Sequence, residues 1–269
     1  MLRKISQSSI LILEVKNMFS FYSKLSSEVY NIDKPVGYSF GDIEYYTDRL
    51  KNCNGKILEP ATGTGRILIP LLQQGFKVEG FDVSEEMLSI CQNNCEENGV
   101  STKLFIDRME SFTSDSKYEA IIVPTGTFLL LFEREKSLRA LRNFYNHLQN
   151  NGKLIIDIHL PDNLTLNESS ERYWELGNGD IITLKSNTVK IDHVNQYSIS
   201  HGRYEKWKNG RLIQTELEQF PIRWYGVEEF KMILESIGFK DIVISANYEY
   251  GKYPTNNEDT ITFEATVKK

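Results

Sequence analysis

Through the first half of the chain, short apolar runs alternate with longer amphipathic stretches. Ile57-Leu58, Lys77–Asp82 (KVEGFD), Leu104–Ile106, Tyr118–Val123 (YEAIIV) and the run NGKLIIDIH at 151–159 read as strands. Between them lie helical patterns: Ser84 is a fitting N-cap for a helix through Glu86 and Met87, and Leu141, Phe144 and Leu148 surround His147 at helical spacing. Strand and helix in turn predict an α/β fold with a doubly wound sheet, seven-stranded once the two later strands at 239–245 and 260–267 are counted. Upstream, Ile43, Tyr46 and Leu50 predict a helix starting near Asp42, inside an aromatic-rich lead-in with Phe19, Phe21, Tyr22, Tyr30, Tyr38, Phe40 and Tyr45.

After His159 the periodicity changes. Residues 161–222 carry alternations of period two, as in Ile182-Leu184, Val189-Ile191 and Tyr197-Ile199, and Asn209-Gly210 is a strong hairpin signal. This stretch reads as an antiparallel sheet inserted into the fold. A helix at 226–236 and two strands, 239–245 and 260–267, then complete the core. The expected organisation is a lid at 1–54, a core at 55–160 and 223–269, and an insertion at 161–222 that caps a substrate pocket or pairs with another subunit as a homodimer.

The 269 residues suffice for a large core, and 40% hydrophobic with 25% charged residues is an ordinary globular balance. A net charge of −6, with no basic run, argues against nucleic acid as the main partner, since such binding draws on lysine and arginine against phosphates. Near the N-terminus, Ile10–Leu13 follows Arg3 and Lys4, but the run stops at Glu14 and Lys16, too short for a secretory signal or a membrane span. A cytoplasmic protein is expected. Cys53, Cys91 and Cys95 are too few and too poorly spaced for a zinc site, so they read as half-buried thiols and no metal is expected.

The most informative stretch is ILEPATGTGRILIPLL, residues 57–72. A strand that ends in Ala61-Thr62-Gly63-Thr64-Gly65 brings backbone amides and a helix N-terminus to a nucleotide-like ligand. In a dinucleotide fingerprint the third small position would fall at Leu68, and a leucine there would hold the helix off the strand. Glu59, ahead of the turn, would repel a pyrophosphate and favour a cationic ligand. Asp82, at the end of the second strand, can accept both hydroxyl protons of a ribose.

With Glu59, Gly63 and Gly65 in the turn, Asp82 after it, Asp107-Arg108-Met109 after the third strand and the Pro124-Thr125-Gly126 loop after the fourth, the chain resembles the class I S-adenosylmethionine-dependent methyltransferases of the small-molecule type, such as glycine and sugar N-methyltransferases. Ala61 replaces the first glycine of that family's turn, which implies a backbone φ below zero there. The resemblance implies S-adenosyl-L-methionine as cofactor, held by Glu59, Ala61, Thr62, Gly63, Gly65 and Arg66, by Asp82, Val83 and Met87, by Asp107, Arg108 and Met109, and by Pro124, Thr125 and Gly126. Tyr30 and Tyr38 are further candidates for ligand contact.

The expected activity is methyl transfer to a small-molecule nitrogen or oxygen by in-line displacement. Alignment carries most of that chemistry, and a base helps only where the acceptor must lose a proton. Candidate catalytic groups are His159 at the end of the fifth strand and His201 and Tyr204 in the insertion; Trp174, Trp207 and Trp224 could wall an aromatic pocket. Two other readings stay open: a protein that binds S-adenosylmethionine or S-adenosylhomocysteine without catalysis, and an RNA methyltransferase.

Overall fold

A computed structural model describes residues 21–162 and 164–269. Ile10–Leu13 and Phe19 lie outside the described residues. Seven strands form one sheet: β1 (Lys56–Pro60), β2 (Lys77–Asp82), β3 (Leu104–Ile106), β4 (Tyr118–Val123), β5 (Leu148–His159), β10 (Lys240–Ala246) and β11 (Thr260–Thr266). Their order is β10-β11-β5-β4-β1-β2-β3. Strands β1 to β5 are parallel, while β11 runs antiparallel between β5 and β10, as expected of two successive strands with no helix between them.

Helices cover both faces, which is why the central strands are apolar on both sides. On one face lie α2 (Asp42–Leu50), α3 (Leu68–Gln73) and α4 (Glu85–Glu97), packing Tyr46, Leu68 and Cys91 against Ile57, Val78 and Ile122. On the other, α5 (Arg134–His147) and α6 (Val227–Ile237) pack Phe144 and Phe230 against Leu58, Ile156 and Phe263. The crossovers reverse direction between β1 and β4, and at such a switch point the carboxyl ends of the strands open a crevice for a ligand. Cys91 and Cys95 are fully buried rather than half-buried as expected, because both point from α4 into this core; Cys53 is half-buried.

The insertion is a separate antiparallel sheet of β6 (Ser169–Glu175), β7 (Ile181–Asp192), β8 (Tyr197–Lys208) and β9 (Arg211–Arg223), in that order. Asn209 and Gly210 take φ of 49° and 72°, as the predicted primed turn requires. The lead-in divides between the two sheets. Helix α2 belongs to the core, but α1 (Lys24–Asp33) lays Leu25 and Val29 on Trp174, Ile182 and Tyr204 of the insertion.

Charge fastens α1 in place. Its N-terminus is capped from β9, where Glu216 accepts from Ser23 Oγ (2.6 Å) and the Leu25 amide (2.8 Å), and Glu218 from the Tyr22 amide (2.9 Å). Farther along, Glu28 pairs with Lys206 (3.0 Å) and Asp33 with Arg172 (2.6 Å). No helix of the described residues is long and apolar enough to cross a membrane.

Candidate active site

Strand β1 ends at Pro60, and the turn that follows folds back on the neighbouring strand, the Thr62 amide donating to the Phe81 carbonyl at 3.0 Å. Ala61, Gly63 and Gly65 all adopt positive φ, of 53°, 58° and 85°. The negative φ expected at Ala61 is therefore corrected: the turn imposes a left-handed backbone at a residue with a Cβ, a cost of about 1–2 kcal/mol. Gly65 leaves no such choice, because a Cβ there would lie 2.9 Å from both Cys91 Sγ and Ile69 Cδ1. Leu68, expected to hold its helix off the sheet, is wholly buried over Gly80, where a Cβ would meet its Cδ1 at 2.7 Å. Removing a side chain from β2 makes the room that the leucine needs.

Two acids flank this turn. Asp82 Oδ2 accepts from the Gly63 amide and Oδ1 from the Ser84 amide, each at 3.0 Å, which fixes the carboxylate at the mouth of the crevice. Burial holds its pKa above the ordinary value, and the amides oppose that shift. Glu59 is 3% exposed, and its Oε2 has no hydrogen-bond partner among the described residues, although the Thr62 side chain is close enough to act on the carboxyl. Burial pushes its pKa to about 8, against the nearby Arg66 charge. A buried acceptor atom left without a donor is costly unless a ligand supplies one.

A cavity of about 480 Å³ opens along the ends of β1, β2 and β3. Tyr30, Ala61, Gly63, Asp82, Val83, Met87, Asp107, Arg108 and Met109 line it, so the structure brings these expected contacts together. Asp107 continues the line of Asp82, its amide bonded to the Asp82 carbonyl at 3.1 Å and its Oδ1 accepting from the Arg108 amide at 2.8 Å. Glu59, Thr62 and Gly65, also expected as contacts, are buried in and beneath the turn and are not among the residues that line the cavity.

The remaining expected contacts do not line the cavity. Arg66 is buried in a bidentate pair with Asp42 at the start of α2 (2.5 and 3.2 Å) and also donates to the Tyr38 carbonyl at 2.7 Å, so it ties the lead-in to the turn, while Tyr38 is 47% exposed. The Pro124-Thr125-Gly126 loop is anchored from below, the Thr125 amide donating to Asp157 Oδ2 at 2.8 Å. Gly126 lies against His159, whose Cδ2 would stand 2.4 Å from any Cβ at that position.

Some lining residues escaped the sequence reading. Tyr22, with φ of 47°, and Gln219 and Pro221 of β9 reach this cavity only because the insertion folds back over the crevice. Leu130, Leu131 and Phe132 arrive through the short 3₁₀ turn Thr127–Leu130; the apolar run FLLLF was their one visible signal.

A second cavity of about 320 Å³ lies between α1 and the inserted sheet, sharing Tyr22 and Tyr30 with the first as a common wall. Tyr204, Trp174, Lys34, Arg172 and Glu218 line it. Here the three catalytic candidates part company. Tyr204 is in this cavity, its hydroxyl pKa raised by burial. His201 sits on the opposite face of β8 from Tyr204, with Nε2 3.4 Å from Nε2 of Gln219. His159 is at the end of β5, its pKa lowered by burial and further by the charge of Lys34, against the Thr125 backbone. Trp174 donates to Asp33 Oδ1 at 2.7 Å; Trp207 donates to Thr183 and Trp224 stands edge-on to His193, both outside the two cavities.

Residues 57–152 match the family described as a methyltransferase domain, Methyltransf_25. The glycine/sarcosine N-methyltransferase of Aphanothece halophytica is 27% identical, over 84% of this chain and 80% of its own length. That of Parasynechococcus marenigrum (strain WH8102) is 28% identical, over 72% of this chain and 66% of its own. The fold is that of the sugar N-methyltransferase KedS8 from Streptoalloteichus sp ATCC 53650, with a TM-score of 0.69 at 18% identity over 93% of this chain and 97% of that one.

Proposed function

We propose that this chain, an S-adenosylmethionine-dependent methyltransferase by its domain and its fold, methylates the nitrogen of a small amine. The carrying observation is the unpartnered Glu59 Oε2 beside a turn whose amides and Asp82 face one crevice. It fits a ligand with both an ammonium and a ribose: Glu59 would hold the ammonium of the cofactor's amino-acid tail, and Asp82 would accept from the ribose hydroxyls. When bound, the cofactor supplies an activated methyl on a sulfonium.

The protein's share is alignment and exclusion of water. Tyr30 lies over the turn, its Cε1 3.9 Å from the position of a Cβ on Gly63, and with Tyr22 it separates the cofactor crevice from the second cavity. An acceptor in the second cavity would reach the cofactor crevice past that wall. A nitrogen acceptor suits this surrounding, since a neutral amine attacks without prior loss of a proton. The names of the glycine/sarcosine and sugar N-methyltransferase relatives support the same reading.

The test is to incubate the protein with methyl-labelled S-adenosylmethionine and panels of small amines, phenols and carboxylates. Label is expected in the amines. Tight cofactor binding with no transfer to any acceptor would overturn the proposal in favour of a non-catalytic binding protein.

A further inference from the structure

Strands β1 and β4 are neighbours on either side of the switch point, and each ends in a turn with a left-handed residue that is not glycine. The first is Ala61. The second turn, Pro124–Thr127, is closed by the Thr127 amide and Oγ1, which donate to the Pro124 carbonyl at 3.2 and 3.0 Å. Its two central residues, Thr125 and Gly126, have φ of 53° and 70°. Positive φ at both positions makes a primed turn, and a β-branched threonine there is an outlier. Beyond this turn the chain becomes a wall of the first cavity, through Thr127, Leu130, Leu131 and Phe132.

Such strain persists only where surrounding structure holds it. Asp157 of β5, with zero exposure, does so: its Oδ2 accepts from the Thr125 amide at 2.8 Å and from the Tyr248 hydroxyl at 3.1 Å, and its Oδ1 from Thr262 Oγ1 at 2.7 Å. His159, two residues on and so on the same face of β5, closes over Gly126 and leaves no space for a Cβ. Burial pushes the Asp157 pKa up to about 6, and the Thr262 hydroxyl and then the Thr125 amide oppose that shift. At pH 8 the group is a carboxylate, which holds an amide more strongly than a neutral acceptor does.

We infer that Asp157 is a positioning residue for the cofactor crevice: its carboxylate holds Thr125 in the left-handed turn and so sets Thr127, Leu130 and Leu131 against the bound cofactor. The inference rests on the assignment of that crevice to the cofactor, and it adds a residue that lines neither cavity. Without the acceptor, Thr125 would relax to negative φ and carry the wall with it. A glycine at position 125 takes positive φ without strain and would keep the turn unaided. Glycine there therefore uncouples the crevice from the carboxylate, which no purely structural role of Asp157 toward Tyr248 or Thr262 predicts.

The test is the Kd for S-adenosylhomocysteine, measured by calorimetry at pH 8 on variants whose melting temperature shows them folded. Asp157→Ala is expected to raise it about tenfold or more, and Asp157→Asn, whose carboxamide oxygen still accepts, about fivefold. Adding Thr125→Gly to either should return it to within about twofold of wild type. Tyr248→Phe, which removes another donor from the same oxygen, should lower the melting temperature and leave Kd within about twofold. If Asp157→Ala does not fold, Asp157→Asn with and without Thr125→Gly decides. No loss in the folded Asp157 variants, a loss that Thr125→Gly does not relieve, or an equal loss in Tyr248→Phe overturns the inference. Asp82→Ala, measured alongside, keeps the two readings apart: unchanged Kd there overturns the crevice, whereas weakened binding there with wild-type affinity in the Asp157 variants overturns the positioning role alone.

Discussion

Replacing Glu59 by glutamine isolates the charge in the proposed cofactor site. The carboxyl has a pKa of about 8, so at pH 7 it is about 90% protonated in the free protein, and glutamine copies that form in shape. Binding an ammonium requires the carboxylate. Ionising it at pH 7 costs about 1.4 kcal/mol, set against about 1.5–3 kcal/mol for a hydrogen bond between charged partners. Two consequences follow for the wild type. Its affinity for S-adenosylmethionine falls about tenfold for each pH unit below 7, and with the ligand's own amine titrating near pH 7.8, binding at pH 7 releases roughly 0.8 of a proton.

Calorimetry in buffers of different ionisation enthalpy reads that proton directly. In Glu59→Gln the pH slope and the release should vanish and Kd at pH 8 should rise tenfold or more. The same carboxyl acts on stability. Its folded pKa lies above the model-compound value of 4.5, so its contribution is fully present below pH 4.5 and is lost as pH rises through about 8, at about 1.4 kcal/mol per unit. Glu59→Gln should not show that loss. Wild-type affinity that is flat from pH 6 to 8, with a binding enthalpy independent of buffer, would refute the reasoning.

Three further outcomes are expected. Asp82→Ala removes the acceptor held by the Gly63 and Ser84 amides and should raise Kd for the cofactor on the order of a hundredfold by calorimetry, through the loss of the charge-assisted hydrogen bonds it would accept from the ribose; unchanged affinity would sink the assignment of the crevice. Arg66→Met strands Asp42 without its cation at zero exposure and should cost about 3–5 kcal/mol in urea unfolding, largely recovered in the double variant with Asp42→Leu; a loss below about 1 kcal/mol would mean that the pair does not secure the lead-in. Ala61→Gly relieves a left-handed alanine and should leave cofactor affinity within about twofold while changing stability between zero and a gain of about 1 kcal/mol, the strain relief exceeding the added chain entropy; a loss above about 1 kcal/mol would show the turn to be unstrained.

The core was legible because its signals are local. Apolar strands, the Ser84 cap, whose Oγ accepts from the Met87 amide at 3.1 Å, and the Asn209-Gly210 turn each follow from neighbouring residues. The acids at strand ends were legible for the same reason: Asp82 and Asp107 are in the crevice because their strands are adjacent and in parallel register. Arg66 was a different matter. A guanidinium beside a glycine turn suits a ligand in the sequence, and its partner Asp42, 24 positions upstream, is visible only once α2 is seated on α3.

The sequence by itself determined the sheet, its order of chemistry along the chain and a cationic nucleotide-like ligand, since backbone propensity and side-chain alternation act over a few residues. Tertiary structure alone decided the rest. It set Ala61 in a left-handed conformation, divided the lead-in so that α1 rides on the insertion under the caps of Glu216 and Glu218, and gathered Asp33, Lys34, Arg172 and Glu218 around the second cavity. Burial and charge balance depend on which distant segments meet, and that is decided by packing.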